Sequence, residues 1–318
     1  MRSIFPILFA LLIAATVGSD GKADAENADK VIGMSVLSVN NSYFKTLADA
    51  AVAEAKMHGY HVAVVSAEFD ATRQSKQVGD FVERGVSAII LCPCDSKAIG
   101  PAIREANTAG IPVFTADIRC IDPEAKIVSH VATDNRLGGR QAAQALIEAL
   151  GMEGGKVAIL DYGTVLACRL RTEGFIEEIE RHNARRIVGK IDVVAHLDGG
   201  GTRHKGMKAT KDAIQAHPDL RGIFAINDPS ALGASAALVD AGLAESVSII
   251  GFDGQPEGRR AIKRGSIYAD PIQRPERVAI TTVQAMIKHL NDEVVASEIL
   301  VPTELCRKAD ADDDPLLK

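Results

Sequence analysis

Residues 31–66 read VIGMSVLSVNNSYFKTLADAAVAEAKMHGYHVAVVS. The stretch opens and closes with apolar runs of strand length, at Val31–Leu37 and His61–Val65. Between them, Tyr43–His58 carries apolar side chains at helical spacing and stops before Gly59. Strands that are apolar throughout and joined by helices indicate a parallel sheet covered on both faces. The stretch therefore predicts a strand–helix–strand unit.

The same alternation of apolar runs and amphipathic stretches continues along the chain. It includes a predicted helix at Ser96–Ala109, a predicted strand at Ile187–Ala195 and a last helix at Pro275–Leu290. The pattern restarts once, near Ile127, and 318 residues are enough for two lobes. We predict an α/β fold of two doubly wound parallel-sheet lobes with a ligand cleft between the carboxyl ends of their strands. Two lobes packed without a cleft are the alternative.

The first residues have the pattern of an export signal. Arg2 precedes an apolar run from Ile4 to Val17, and Ala23-Asp24-Ala25 fits a signal-cleavage site. The alternative, a membrane anchor, is disfavoured because the run is shorter than the roughly 20 residues that span a bilayer. We therefore predict a signal peptide over residues 1–25, cleaved within 19–25, and a periplasmic location.

Composition narrows the classes of partner and cofactor. The net charge of −6 and the absence of a basic run exclude a nucleic-acid partner. The five cysteines leave at least one thiol unpaired, although a disulfide between Cys94 and Cys120 is geometrically possible. The spacing of Cys92 and Cys94 is not a zinc spacing, so we expect no metal and no cofactor. Residues 310–314 are acidic and are predicted to be solvated or disordered.

Polar and aromatic side chains follow the predicted strands. They are Asn40, Asn41, Tyr43, Phe44, Asp117, Arg119, Asp161, Arg169, Asn227, Asp228, Asp253, Asp270 and Gln273. Carboxylates, amides and guanidinium groups match the paired donors and acceptors of sugar hydroxyls, and aromatic rings pack on the apolar faces of a sugar ring. The pattern predicts a sugar site.

Some of these residues have structural alternatives. Asp134 and Asp228 stand where helix N-caps belong, and Asp95-Ser96 could cap the helix that follows them. Tyr43 and Phe44 could be core residues, and Asp253 a turn residue. The chain has no G-x-S-x-G nucleophile elbow, so we expect no catalytic residues and no enzyme.

Four motifs together resemble the ribose-binding protein family, the periplasmic binding proteins of pentose and hexose importers. They are Asn40-Asn41-Ser42-Tyr43-Phe44, Ser129–Asn135 with Gly138-Gly139, Phe224–Asp228 with Ala231–Ala234, and Gly251-Phe252-Asp253-Gly254. The resemblance runs from Val31 to Pro302 and implies two lobes joined by three crossovers, near Ala132, Gln273 and Pro302. It implies an N-terminal lobe of 30–132 plus 274–302, a C-terminal lobe of 133–273 plus 303–309, and a tail of 310–318.

The resemblance also implies the residues that contact a sugar. They are Asn41, Tyr43, Phe44, Asp117, Arg169, Asn227, Asp253 and Gln273. Three positions depart from the family pattern. Cys92 replaces an asparagine, and Leu197 replaces an aromatic residue. Ile118 replaces an arginine whose role Arg119 could take. Cys92 and Arg119 complete the predicted ligand set. Losing polar partners at these positions favours a different pentose, a deoxy sugar, a tetritol, a pentitol or a cyclitol over ribose itself.

The resemblance implies a mechanism of hinged lobe closure on the ligand. It implies that membrane permease subunits of an ABC importer are partners, and a chemoreceptor is a possible further partner. We expect the protein to be a monomer. Two alternatives remain: the sugar-sensing effector domain of a chemoreceptor or regulator, and an α/β enzyme with Cys92 near His130.

Overall fold

The computed structural model describes residues 30–317. The strands of this part of the chain are β1 Val31–Val36, β2 His61–Ser66, β3 Ala88–Leu91, β4 Val113–Ala116, β5 Ser129–Thr133, β6 Gly155–Asp161, β7 Ile191–Asp198, β8 Leu220–Ala225, β9 Ser248–Ile250, β10 Ala269–Ile272, β11 Glu298–Val301 and β12 Glu304–Arg307. The helices are α1 Ser42–Met57, α2 Ala71–Glu83, α3 Gly100–Thr108, α4 Asn135–Leu150, α5 Leu166–Asn183, α6 Arg203–Ala216, α7 Asp228–Asp240, α8 Pro256–Lys263, α9 Pro275–Leu290 and α10 Lys308–Asp313.

The strands form two six-stranded sheets within residues 30–317, which define two lobes. The N-lobe sheet has the order β11-β5-β4-β3-β1-β2, and the C-lobe sheet has the order β12-β10-β9-β8-β6-β7. All pairings are parallel except that of β10 with β12. The α/β fold class predicted from the sequence is confirmed. None of the helices in this region is both long and apolar enough to cross a bilayer.

The chain passes between the lobes three times. It leaves the N-lobe after β5, returns from β10 to α9, and leaves again between β11 and β12. The first two crossovers are joined, because the Thr133 hydroxyl donates to Gln273 Oε1 at 2.6 Å, and the third is tied to α4, because the Thr303 hydroxyl donates to Gln141 Oε1 at 2.6 Å. These bonds fix the hinge side of the molecule and leave the opposite side to open.

Local sequence explains where the first elements begin and end. The Asn41 side chain caps α1 by accepting from the Tyr43 backbone N–H at 2.9 Å, and Asp70 caps α2 in the same way. Gly59 follows α1 with φ of 77°, a conformation that glycine adopts without strain. The apolar strand β1 is then buried between layers of helices.

Two predicted elements are displaced. Helix α3 begins at Gly100 rather than Ser96, because the Asp95 carboxylate accepts from the N–H groups of Lys97 and Ala98, both at 2.8 Å, and holds a turn there. Strand β7 begins at Ile191 rather than Ile187, since Gly189 with φ of 71° breaks the apolar run and leaves Ile187 96% exposed.

Residues 310–314 are ordered, and of the two expectations for this acidic segment only solvation holds, since Asp310, Asp312 and Asp313 are exposed. Helix α10 packs against α8, and its Ala311 is fully buried in the C-lobe core. Asp314 forms an ion pair with Arg259, which offsets part of the acidic charge of this segment. The predicted signal peptide lies outside the described residues.

Candidate functional site

A cavity lies between the lobes, at the carboxyl ends of strands from both sheets. The space between its walls is about 440 Å³, including its opening to solvent. Its walls are formed by Leu37, Asn41, Tyr43, Phe44, Phe69, Asp117, Ile118, Tyr162, Val165, Ala167, Cys168, Arg171, Gly201, Asn227, Asp253 and Gln273. The structure thus brings together seven of the predicted ligand residues: Asn41, Tyr43, Phe44, Asp117, Asn227, Asp253 and Gln273.

The polar group of the N-lobe wall is a carboxylate held by a tyrosine. Asp117 follows β4 and is 4% exposed, and the Tyr43 hydroxyl donates to its Oδ1 at 2.8 Å. The Phe44 ring meets the Tyr43 ring edge to face, with centroids 5.2 Å apart. Tyr43 and Phe44 are therefore both core residues and cavity walls, so the two readings of the sequence are compatible.

The C-lobe wall contains a buried arginine–carboxylate pair. Arg171 Nη1 lies 3.1 Å from Asp253 Oδ1, and Gln273 Nε2 donates to the same oxygen at 2.6 Å. The Arg171 guanidinium lies 3.9 Å above the Phe252 ring, and its Nε donates to Asn135 Oδ1 at 2.7 Å. The arginine is therefore fixed on three sides, and its direction does not depend on a ligand.

The close approach of two helices places this arginine. A Cβ at Gly139 of α4 would lie 2.0 Å from the Arg171 carbonyl oxygen on α5. A Cβ at Gly138 would lie 2.5 Å from the Phe252 ring. Side chains at these positions would push α5 and the ring away, so the Gly138-Gly139 pair allows Arg171 to reach the cavity.

Each of the three charged groups keeps one polar atom unpartnered. No described residue hydrogen-bonds to Asp117 Oδ2, Asp253 Oδ2 or Arg171 Nη2, although the companion atoms of each group are bonded. Other unpartnered polar atoms of the described residues are fully buried, but these three are not. They are hydrogen-bonding groups of the cavity residues that the described part of the protein does not itself use.

Burial sets the electrostatics of the cavity. It raises the pKa of Asp253 to about 7, against the opposing effects of Arg171 and the Gln273 hydrogen bond. Burial also raises the pKa of Asp117, which Arg171 and the Tyr43 hydroxyl oppose. Burial alone would lower the pKa of Arg171, but Asp253 and other anionic neighbours raise it, so the guanidinium stays charged. The site is a preformed set of one cation and two carboxyl groups.

Asn41 and Asn227 each line the cavity and also cap a helix. Asn41 caps α1, and Asn227 caps α7 by accepting from the Ser230 N–H at 3.0 Å. Asn227 Nδ2 also donates to the Gly201 carbonyl at 3.0 Å. The prediction that Asp228 caps α7 is wrong, because Asp228 is already in the helix, whereas Asp134 does cap α4.

Three predicted ligand residues lie outside the cavity. Arg119 forms an ion pair with Glu298 at 3.2 Å, on the outer side of the N-lobe. Cys92 is fully buried behind the wall. Arg169 donates to the Gly163 carbonyl at 2.9 Å, and Arg171 takes the place assigned to it. Two residues apart on a helix are rotated by about 200°, so only one of these arginines can face the cavity.

The apolar part of the wall was not predicted from the sequence. It consists of Leu37, Phe69, Ile118, Tyr162, Val165, Ala167 and Cys168, together with Gly201. Only Ile118 had a signal, as a departure from the family pattern. The five cysteines are all buried free thiols, so the Cys94–Cys120 disulfide is not present. Among the described residues, no cluster of His, Cys, Asp and Glu is arranged to hold a metal ion.

A second, more open cavity adjoins the first, and we call it the mouth cavity. It encloses about 1,070 Å³ and shares Phe69 and Tyr162 with the ligand cavity. Its walls come from both lobes and include Asp95, Thr164 and Leu197. Leu197 thus lies outside the ligand cavity, at the side of the molecule opposite the hinge.

Comparisons with known proteins agree with this arrangement. A family model described as "Periplasmic binding protein domain" matches residues 32–293. The chain is 33% identical over 309 residues to the ribose import binding protein of Escherichia coli (strain K12), which covers 97% of this chain and 99% of that protein. It is 32% identical over 279 residues to the D-apiose import binding protein of Paraburkholderia graminis, covering 88% and 87% of the two chains.

Solved structures share the fold. An ABC transporter periplasmic solute binding protein from Actinobacillus succinogenes, solved with bound D-allose, aligns with a TM-score of 0.81 and 28% identity. The alignment covers 90% of this chain and 100% of that chain.

Proposed function

The chain belongs to the periplasmic binding proteins, in the family of the ribose-binding proteins, and on this premise we propose that it captures a small sugar or polyol by closing two lobes around it. One observation carries the proposal. The unpartnered atoms of Asp117, from the N-lobe, and of Arg171 and Asp253, from the C-lobe, line one cavity. Hydroxyl groups that donate and accept at once match this set.

The size of the cavity favours a small ligand. The space of about 440 Å³ between the walls includes its opening to solvent, so it is an upper bound on the room for a ligand. That bound admits a single sugar ring or a short polyol rather than an oligosaccharide.

The composition of the wall favours a ligand other than ribose. On the N-lobe side, Ile118 offers no polar group and Cys92 lies outside the cavity, so a ligand finds fewer hydrogen-bond partners there. On the C-lobe side, Val165, Ala167 and Cys168 add apolar surface. Each hydroxyl left without a partner would cost about 1–3 kcal/mol. We propose a different pentose, a deoxy sugar, a tetritol, a pentitol or a cyclitol.

The proposal includes no chemical step on the ligand. Cys168 is the one thiol in the wall, and burial raises its pKa to about 12. A thiol is a poor nucleophile unless it loses its proton. The ligand would therefore leave the site unchanged.

The proposed partners follow from the family. The closed molecule would be recognised by the membrane permease subunits of an ABC importer, and a chemoreceptor is a second proposed partner. We propose that the protein acts as a monomer in the periplasm, delivered there by the signal peptide at residues 1–25.

A thermal-shift screen tests the function directly. Pentoses, hexoses, deoxy sugars, tetritols, pentitols and inositols would be added to the purified protein, followed by titration calorimetry on each hit. A ligand at 100 times its Kd should add about 2.7 kcal/mol to the free energy of unfolding, with one ligand bound per chain and chromatographically unchanged on recovery. Turnover of the ligand, or no hit in any sugar or polyol class, would refute the proposal.

A further inference from the structure

Ser96 joins the two lobes on the side opposite the hinge. It is a fully buried N-lobe residue between β3 and α3. Its carbonyl accepts from the Ile121 N–H of its own lobe at 2.8 Å. Its N–H donates to the Thr164 carbonyl of the C-lobe at 3.2 Å, and its hydroxyl oxygen accepts from the Leu166 N–H at 2.9 Å. One residue is thus held by its own lobe and bonded twice to the other.

The second of these bonds caps a helix across the cleft. Leu166 is the first residue of α5, and the N-cap residue, Val165, has no side chain that can accept a hydrogen bond. The first turn of a helix has N–H groups without partners inside the helix, and a serine oxygen is one of the preferred acceptors. Here the serine comes from the opposite lobe. Opening the cleft would remove the cap.

The position of the contact links it to the ligand cavity. Thr164, which Ser96 contacts, lines the mouth cavity, and Val165, between the two residues that Ser96 contacts, lines the ligand cavity. The same helix carries Arg171, less than two turns beyond Leu166. The contact therefore closes the site and holds the start of the helix that bears the ligand-facing arginine.

We propose that Ser96 is a positioning residue for ligand retention: its hydroxyl caps α5 in trans only when the lobes are closed, and so stabilises the closed, ligand-holding state. The inference rests on the proposed function of lobe closure. Ser96 does not line the cavity, and it acts through α5. Its neighbour Asp95 holds the local turn, which leaves the serine free for this contact.

The test removes the bond from each side in turn. Ser96→Ala deletes the acceptor. Leu166→Pro deletes the donor, and proline is well tolerated at the first position of a helix. The residue before it, Val165, already has the extended backbone that precedes proline, with φ of −108° and ψ of 121°. Ser75→Ala is the matched control, because that hydroxyl donates to Ala71 within its own helix.

Calorimetry with the strongest ligand of the screen gives the main result. A lost helix cap corresponds to a rise in Kd of about fivefold, within a range of roughly two- to thirtyfold. Both variants should show this rise, the double variant should be no weaker than the weaker single one, and Ser75→Ala should match the wild type. The melting temperature should fall less in ligand-free Ser96→Ala than in ligand-saturated Ser96→Ala, because the bond is fully formed only in the closed state. An unchanged Kd, additive effects or an equal fall in melting temperature with and without ligand would overturn the proposal.

A scattering measurement separates this proposal from the proposed function. If no sugar or polyol binds the wild type, the proposed function fails, and the role of Ser96 is then tested on the ligand-free protein. If the Ser96 contact holds the lobes closed, the ligand-free Ser96→Ala protein should have a larger radius of gyration than the wild type and Ser75→Ala. Equal radii in that case would overturn the role of Ser96.

Discussion

At the scale of single residues, the two carboxylates of the cavity stand on strained backbone. Asp117 has φ of 65° and Asp253 has φ of 107°, in the region that favours glycine. Such conformations cost about 1–3 kcal/mol each and concentrate at binding sites. The surrounding structure holds them, since the Asp253 N–H donates to the Pro271 carbonyl and Gln273 fixes the side chain. The strain is the cost of aiming both carboxylates into one small space.

Asp117→Asn should separate binding from stability. The amide oxygen can still accept from Tyr43, but the negative charge that faces the cavity is lost. A hydrogen bond to a charged group contributes about 1.5–3 kcal/mol, so Kd measured by calorimetry should rise about 10- to 100-fold. Because burial raises the pKa of Asp117, the neutral variant should be at least as stable without ligand as the wild type. Asp49→Asn, on the exposed face of α1, is the control and should change neither quantity.

The two neighbouring arginines give a second test at this scale. Arg171→Met leaves Asp253 buried without its cation, so ligand binding should be lost and the free energy of unfolding should fall by about 3–5 kcal/mol. Arg169→Met removes a partly exposed side chain that donates a hydrogen bond to a loop carbonyl, and it should retain binding and stability. Calorimetry and chemical denaturation of both variants measure this. A loss of binding in Arg169→Met with normal binding in Arg171→Met would restore the original assignment.

At the scale of elements, the positions of the strands and helices could be predicted from the sequence, but the directions of their side chains could not. The apolar runs and the glycine stops located β1, α1 and α9 to within a residue or so, because burial and helix termination are local properties. The start of α5 at Leu166 is not marked by a capping residue of its own. That helix is capped by Ser96 from the other lobe, which no local pattern can reveal.

A buried carboxyl pair joins three elements beneath the cavity. Asp228 at the start of α7 and Asp270 on β10 are within hydrogen-bonding reach of each other. The Gln255 N–H donates to Asp228 Oδ2 at 2.6 Å, which adds the loop after Asp253. A Cβ at Gly258 would lie 2.0 Å from Asp228 Oδ1, so the pair is enclosed. Two such carboxyl groups share a proton rather than both ionise.

This pair predicts that stability falls as pH rises above about 4. Burial raises the pKa of Asp270 to about 6 and that of Asp228 well above its usual range. The folded state therefore holds protons that the unfolded state loses near pH 4, and the free energy of unfolding should fall by on the order of 2–3 kcal/mol as pH rises from about 4 to 6 on account of Asp270, and further at higher pH on account of Asp228. Denaturation at a series of pH values measures it.

The control for this prediction is Asp270→Asn, whose amide can donate to an ionised Asp228. The variant should flatten the decline, with a remainder from Asp253, which faces Asp228 and has its own pKa raised by burial to about 7. The buried thiol of Cys306, which also faces Asp270, should stay protonated in this range, because burial raises its pKa to about 11. An unchanged slope in Asp270→Asn would show that the pair does not hold the proton.

At the scale of the whole molecule, two sheets meet at their carboxyl ends and three crossovers confine their motion. The fold class and the family could be predicted from motifs spread over the chain, because these motifs lie near the carboxyl ends of parallel strands. The apolar wall did not follow, since Val165, Ala167 and Cys168 gain their place only from the packing of α5 against the opposite lobe. The identity of the ligand depends on that packing.

A crystal structure of the protein with the strongest ligand of the screen tests the central claim most directly. The account predicts one ligand enclosed between the lobes, with its hydroxyl oxygens within hydrogen-bonding distance of Asp117 Oδ2, Arg171 Nη2 and Asp253 Oδ2 at the same time. A ligand seated outside this cavity, or one that contacts a single lobe while the other stays apart, would contradict it.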